Sequence, residues 1–302
     1  MPYHQSPAPM DLRQVDTRHI KGLPTSKRKN LTLSTDIRNR VLSNFGIGFE
    51  IEKNTFHRGA VKASPILKGY EEDCSCGYEA ITHILPLLDA STWRTELFEH
   101  VRDLEKIIDS NYSPADYRCG THTTISIEGM TGAEIREAIR PFMGLFYSIF
   151  RYRLSNKYCG YDLQMNGENV GGYCSRYRTT LAKYRCLEIR LPHAMTSTKD
   201  LMFLYELTYI MTDTAVNKPN TSFNAFLNKC KKTLMFWFGD ADKVEDILTV
   251  AKSMNRFLRK SKIDSIAKPF LIGDIPSEHR NRNTLDRSGD SSITDMFDRS
   301  CR

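Results

Sequence analysis

The chain has 302 residues, a mass of 34.8 kDa and 43 Lys+Arg against 36 Asp+Glu, for a formal net charge of +7. A mean hydropathy of −0.45 and no apolar run near the ~18–20 residues of a membrane helix argue against a transmembrane protein. With 26% charged and 10% aromatic residues, wholesale disorder is excluded too, and the length suits one large domain or two small ones.

Residues 1–44 are polar, basic and turn-rich, and an irregular arm is expected there. The opening MPYHQSPAPMDLRQ carries no apolar segment, so no export signal is expected. Much of the positive surplus sits in this arm, at Arg13, Arg18, Lys21, Lys27, Arg28, Lys29, Arg38 and Arg40. No aromatic interleaves residues 13–40, so a solvated arm is expected rather than a nucleic-acid platform.

The folded part is expected over 45–260. FGIGFEIE at 45–52 alternates and predicts a strand. GYEAITHIL at 77–85 predicts a second strand, running into a turn at Pro86. Residues 92–109 predict a helix with Ser91 as N-cap and Leu97, Val101, Leu104 and Ile108 on one face. THTTISIE at 121–128 is an alternating strand. Residues 131–153 predict a helix opened by the capping-box pair Thr131 and Glu134 and kinked or broken at Pro141.

Residues 155–180, rich in Gly, Asn and Tyr, predict a loop, and GENVGG at 167–172 reads as a turn. RCLEIRL at 185–191 predicts a further strand, ended by Pro192. Helices are expected over 197–216, 221–238 and 240–260, followed by a flexible polar tail over 261–302. The mixed order favours an α+β fold with a mainly antiparallel sheet.

Eight cysteines without an export signal predict reduced thiols and a cytoplasmic protein. Cys74, Cys76, Cys119 and His122 could form a zinc site, but the tight C-x-C spacing favours buried structural thiols. Cys119 and His122 stand three apart on a strand. They therefore point to opposite faces and form a poor nucleophile–base pair.

The strands carry unusual groups on their non-core faces. Glu50 and Glu52 alternate with Phe49 and Ile51, and His122, Thr124, Ser126 and Glu128 alternate with Thr123, Ile125 and Ile127. Glu188 and Arg190 alternate with Leu187, Ile189 and Leu191, and Glu79 stands in its own strand. The plainer reading is a set of ordinary amphipathic strands facing water. The sharper one is a single face where carboxylates, an imidazole and a guanidinium converge. Like charges so placed need cations, and carboxylates with one His suit Mg²⁺ or Mn²⁺.

In order and spacing, G-F-E-I-E at Gly48–Glu52, D-x-S-x-G-Y-E at Asp73–Glu79, C-G-T-H-T-T at Cys119–Thr124 and L-E-I-R at Leu187–Arg190 resemble the amidoligase family. So does the segment R-L-S-N-K-Y-C at Arg153–Cys159. That family belongs to the carboxylate–amine ligase superfamily of glutamine synthetase and glutamate–cysteine ligase. The resemblance spans roughly residues 45–195. It implies a glutamine synthetase-like fold: a curved, mainly antiparallel sheet with a polar concave face and helices on the other side.

It also implies an enzyme that activates a carboxylate with ATP and passes the acyl phosphate to an amine, forming an amide or isopeptide bond. By resemblance, Glu50, Glu52, Glu79, His122 and Glu188 hold Mg²⁺ or Mn²⁺, with Glu52 also catalytic. Arg190 faces the transferred phosphate and the nucleotide. Thr124 stands where the family carries a second histidine, and its hydroxyl can donate to a phosphate oxygen but brings no charge.

Tyr158 and Arg176 in the polar loop, and Arg185 beside the last strand, are candidates for substrate binding. No Walker-type motif is present to supply phosphate binding. The carboxylate and amine substrates, peptide-like ones included, and the oligomeric state are left open. Two other readings remain: a non-catalytic binding or scaffold protein on the same fold, and a nucleic-acid-associated protein that uses the arm.

Overall fold

A computed structural model describes residues 45–56, 59, 66–73, 75–82, 84–89, 92–109, 111–116, 118–151, 153, 179–183 and 185–259. The predicted arm, most of the predicted loop and the predicted tail lie outside these residues, as do Cys74, Ser91, Tyr158 and Arg176.

The fold is α+β. Among the described residues, seven strands form one sheet: β1 (Phe45–Lys53), β2 (Leu67–Asp73), β3 (Gly77–Thr82), β4 (Leu85–Pro86), β5 (Thr121–Ile127), β6 (Thr180–Lys183) and β7 (Cys186–Ile189). Their order is β2-β3-β1-β5-β7-β6, and every ladder is antiparallel. β4 also pairs with β1, where Pro86 faces Gly46. The predicted strand over 77–85 is thus two strands in succession along one edge of β1. Pro86 ends the second of them instead of making a turn, since a strand end tolerates its missing N–H.

Two strands have no counterpart in the predicted elements. β2 reads LKGYEED, lies at a sheet edge and is mostly solvent-facing, so it carries no apolar alternation. β6 is short and only half-buried at the opposite edge.

The helices are α1 (Thr92–Arg102), α2 (Glu105–Ile108), α3 (Gly132–Ile139), α4 (Gly144–Ile149), α5 (Thr198–Asn217), α6 (Phe223–Phe238) and α7 (Ala241–Arg259). The predicted helix over 92–109 is broken at Asp103–Leu104. Leu97, Val101, Leu104 and Ile108 are nevertheless all buried, as one stripe requires. Pro141, without an N–H, interrupts the next helix through a 3₁₀ turn at Arg140–Phe142.

Thr131–Glu134 and Ser197–Asp200 form capping boxes, and Gly239 closes α6 in the left-handed conformation. α3 packs on β6 and β7, α4 on α7, and α5 on α1 and α6. One apolar cluster joins these helices to Ile47, Phe49, Ile51, Ile125, Leu187 and Ile189 of the sheet. No helix among the described residues is long and apolar enough to cross a membrane.

Candidate functional site

Strand register puts the polar residues on one face. Glu52 pairs with Glu79 of β3, Glu50 with His122 of β5, Gly48 with Thr124, and Thr124 with Glu188 of β7. Directly opposite residues share a face, so three ladders gather Glu50, Glu52, Glu79, His122, Thr124 and Glu188. Arg190 follows β7 by one residue and joins them through Glu188.

That face is not wet. Glu52, Glu79, His122 and Glu188 are 4%, 2%, 2% and 1% exposed, and every residue of β5 is buried. A solvated amphipathic strand would leave these groups in water, so the plainer reading fails for the centre of the sheet.

Oxygen, nitrogen and sulfur atoms converge in two groups: Glu50, His122 and Glu188, and Glu52, Cys76 and Glu79. Within each group the ligand-type atoms lie within 4.8 Å of one another. His122 Nδ1 lies 3.2 Å from Glu50 Oε2 and 3.4 Å from Glu188 Oε1, and its Nε2 lies 3.4 Å from Glu52 Oε1. Glu188 is clamped by cations. Arg190 Nη1 meets its Oε1, and Lys183 Nζ lies 2.5 Å from its Oε2.

Two glycines make the approach possible. The Gly120 N–H donates to Glu52 Oε2 at 2.5 Å, and a Cβ on Gly120 would sit 3.3 Å from that oxygen and 3.1 Å from Arg153 Nη2. Gly77 has φ +122° and a Cβ there would lie 2.4 Å from Asn54 O, so only glycine fits. The same turn is set by Asp73 Oδ1, which accepts the Ser75 N–H and hydroxyl. Asn54 Nδ2 donates to Cys76 O at 3.2 Å and to Asp116 Oδ2 at 3.0 Å. The β2–β3 turn is thereby held with Cys76 and Glu79 toward β1.

The electrostatics follow from burial and neighbours. Burial, then Glu52, Glu50 and Asp73, push the Glu79 carboxyl up to about 10, against the pull of Arg190. Burial opposes ionisation of Glu188 as well, but Arg190, His122 and Lys183 hold it below the usual carboxylate range. Burial works against Arg190 and Lys183, yet Glu188 and Glu50 strengthen both as cations. A hydrogen bond with Cys119, then burial and Glu52, push the Cys76 thiol up.

Arg185 is exposed in the turn between β6 and β7. Lys183 of the same hairpin meets the cluster through Glu188, a contact not expected from the sequence. Its signal is a hairpin one: T-L-A-K, then a two-residue turn, then C-L-E-I. Cys76 and Cys119 pack with Ala115 and Ala194, while His122 groups with glutamates. A zinc site combining these thiols with His122 is therefore not formed among the described residues. Cys76, Cys119, Cys186 and Cys230 are buried and form no disulfide among the described residues.

Compared with protein-family models and with curated proteins, the chain matches none.

Proposed function

We propose that the chain is an ATP-dependent carboxylate–amine ligase of the amidoligase type, with its catalytic face on a glutamine synthetase-like sheet. The carrying observation is the convergence of Glu50, Glu52, Glu79, His122, Glu188 and Arg190, from separate strands, on one buried face. The buried carboxylates of Glu52 and Glu188 and the half-buried one of Glu50 outnumber the cations Arg190 and Lys183, and the negative charge left over favours bound divalent cations.

The donor set fits Mg²⁺ or Mn²⁺: Glu50, His122 and Glu188 would hold one ion, and Glu52 and Glu79 another. When bound, such ions would neutralise nucleotide phosphates.

The protein's own groups have distinct tasks in this reading. Arg190 offers a planar fork to the transferring phosphoryl group, with Glu188 holding its orientation. Lys183 adds a second positive charge beside Glu188, and the Thr124 hydroxyl donates to a phosphate oxygen. A substrate carboxylate oxygen attacks the γ-phosphorus and ADP leaves. The amine then attacks the acyl carbon, phosphate departs, and a proton passes to solvent. Burial keeps water from the acyl phosphate.

The test is ADP release with Mg²⁺, ATP and panels of carboxylates and amines, using hydroxylamine to trap the acyl phosphate as a hydroxamate. Carboxylate-dependent hydroxamate supports the reading, and the absence of any Mg²⁺–ATP thermal stabilisation overturns it.

Thr124 favours a second reading, a non-catalytic binding protein on the same fold. It pairs with Glu188 at the position where the amidoligase pattern carries a charged imidazole. Nucleotide stabilisation without ADP release selects this reading.

A further inference from the structure

We infer that Glu52, Cys76 and Glu79 form a thiolate-containing centre that binds a borderline divalent cation of the Zn²⁺ or Co²⁺ kind more tightly than Mg²⁺. The inference rests on reading the polar face as a metal site, and not on ligase activity. Two observations carry it together.

The first is composition and reach. One Cys76 sulfur and a carboxylate oxygen from each of Glu52 and Glu79 lie within 4.8 Å of one another, on residues 2–4% exposed. A sulfur donor turns preference from hard cations toward Zn²⁺ and its neighbours, whereas the Glu50–His122–Glu188 group keeps only oxygen and nitrogen. The second is Glu79 itself. It is 2% exposed and its carboxylate belongs to this group, yet among the described residues no hydrogen bond or ion pair reaches it. A buried carboxyl without partners is costly, and a cation shared with Glu52 and Cys76 removes that cost.

The turn is also built to present the sulfur. Gly77 at φ +122° lies against the Asn54 carbonyl, and Asn54 in turn donates to Cys76 O. When the cation binds, the S–H proton and the proton carried by the Glu79 carboxyl leave to buffer as the metal–ligand bonds form, with no change of oxidation state. Cys119, also buried beside Cys76, lies outside the group and serves as the internal control.

The test uses the full chain, stripped with chelator, kept reduced and titrated with Co²⁺ alone. A thiolate-to-cobalt charge-transfer band is expected in the near ultraviolet, lost in Cys76→Ser and Cys76→Asp and retained in Cys119→Ser. A band that survives in both Cys76 variants, or Co²⁺ binding without a band, overturns the inference. Because Cys76 is buried, a measurement on the unaltered chain stands beside the variants. Zinc-edge X-ray absorption at one equivalent should show one sulfur among oxygen or nitrogen neighbours, and a shell without sulfur, or of sulfur alone, overturns it. Hydroxamate formation is a separate assay, so loss of the ligase reading leaves the cobalt band unaffected.

Discussion

His122 Nε2 lies 3.4 Å from Glu52 Oε1, so one imidazole ring joins the two acidic clusters of the sheet. Its other nitrogen faces Glu50 and Glu188. Removing it should weaken both clusters, whereas removing Glu50 should weaken one. A cation at a hundred times its Kd stabilises a protein by about 2.7 kcal/mol. Most of the Mn²⁺-induced thermal stabilisation is expected to be lost in His122→Ala and part of it kept in Glu50→Gln, measured by melting with and without MnCl₂.

Arg190 and Glu188 should behave as a pair. Arg190→Met removes the fork proposed for the transferring phosphoryl group, and a loss of about 10²–10³-fold in ADP formation is expected. Arg190→Lys should not rescue it, because an ammonium lacks the planar geometry. Glu188→Gln leaves Arg190 and Lys183 without their shared carboxylate. It should lower both turnover and stability, as steady-state kinetics and denaturant titration would show.

Glu79 sets a pH dependence of defined sign. Its folded-state value, about 10, lies above the ordinary 4.5, so the native protein keeps a proton that the unfolded chain releases. That contribution to stability is complete below about pH 4.5 and is lost as pH rises toward 10. Without metal, stability should fall with pH by up to about 1.4 kcal/mol per unit from this group, and Glu79→Gln should flatten the slope. A bound cation favours the ionised form, so metal-induced stabilisation should instead grow with pH. Urea titrations across this range with and without Mn²⁺ check both signs.

Gly120 makes room for Glu52. A Cβ would crowd Glu52 Oε2 and Arg153 Nη2. Gly120→Ala should cost about 1–3 kcal/mol of stability and reduce metal-induced stabilisation beyond that. Melting curves with and without Mn²⁺ separate the two effects.

Lys53 offers a control outside the cluster. Its buried ammonium donates to Ile108 O at 2.5 Å and Met195 O at 2.8 Å, tying the end of β1 to α2 and to the segment before α5. Lys53→Met leaves those carbonyls without this donor and should destabilise the fold by about 1–3 kcal/mol for each carbonyl left unsatisfied. The metal-induced increment in the same melting experiment should be unchanged.

Local periodicity determined much of this protein. Alternation in segments such as F-G-I-G-F-E-I-E assigns side chains to opposite faces whatever the neighbours are, so β1, the start of β3, β5 and β7 were legible, as was the capping box at Thr131. The grouping of Glu50, Glu52, Glu79, His122 and Glu188 was foreseeable as a pattern for the same reason. Tertiary structure decided the rest. Edge strands such as β2 and β6 are held by backbone pairing to a neighbour and need no apolar alternation of their own, so their sequences do not announce them. Alternation places Lys53 on the apolar face with Phe49 and Ile51, but what makes an ammonium tolerable there is a pair of carbonyls from distant segments. Whether the polar face is wet or buried, which carboxylate meets Cys76, and that Lys183 reaches Glu188 all depend on strand register and long-range packing. Register is a relation between segments far apart in the chain, and no single segment encodes it.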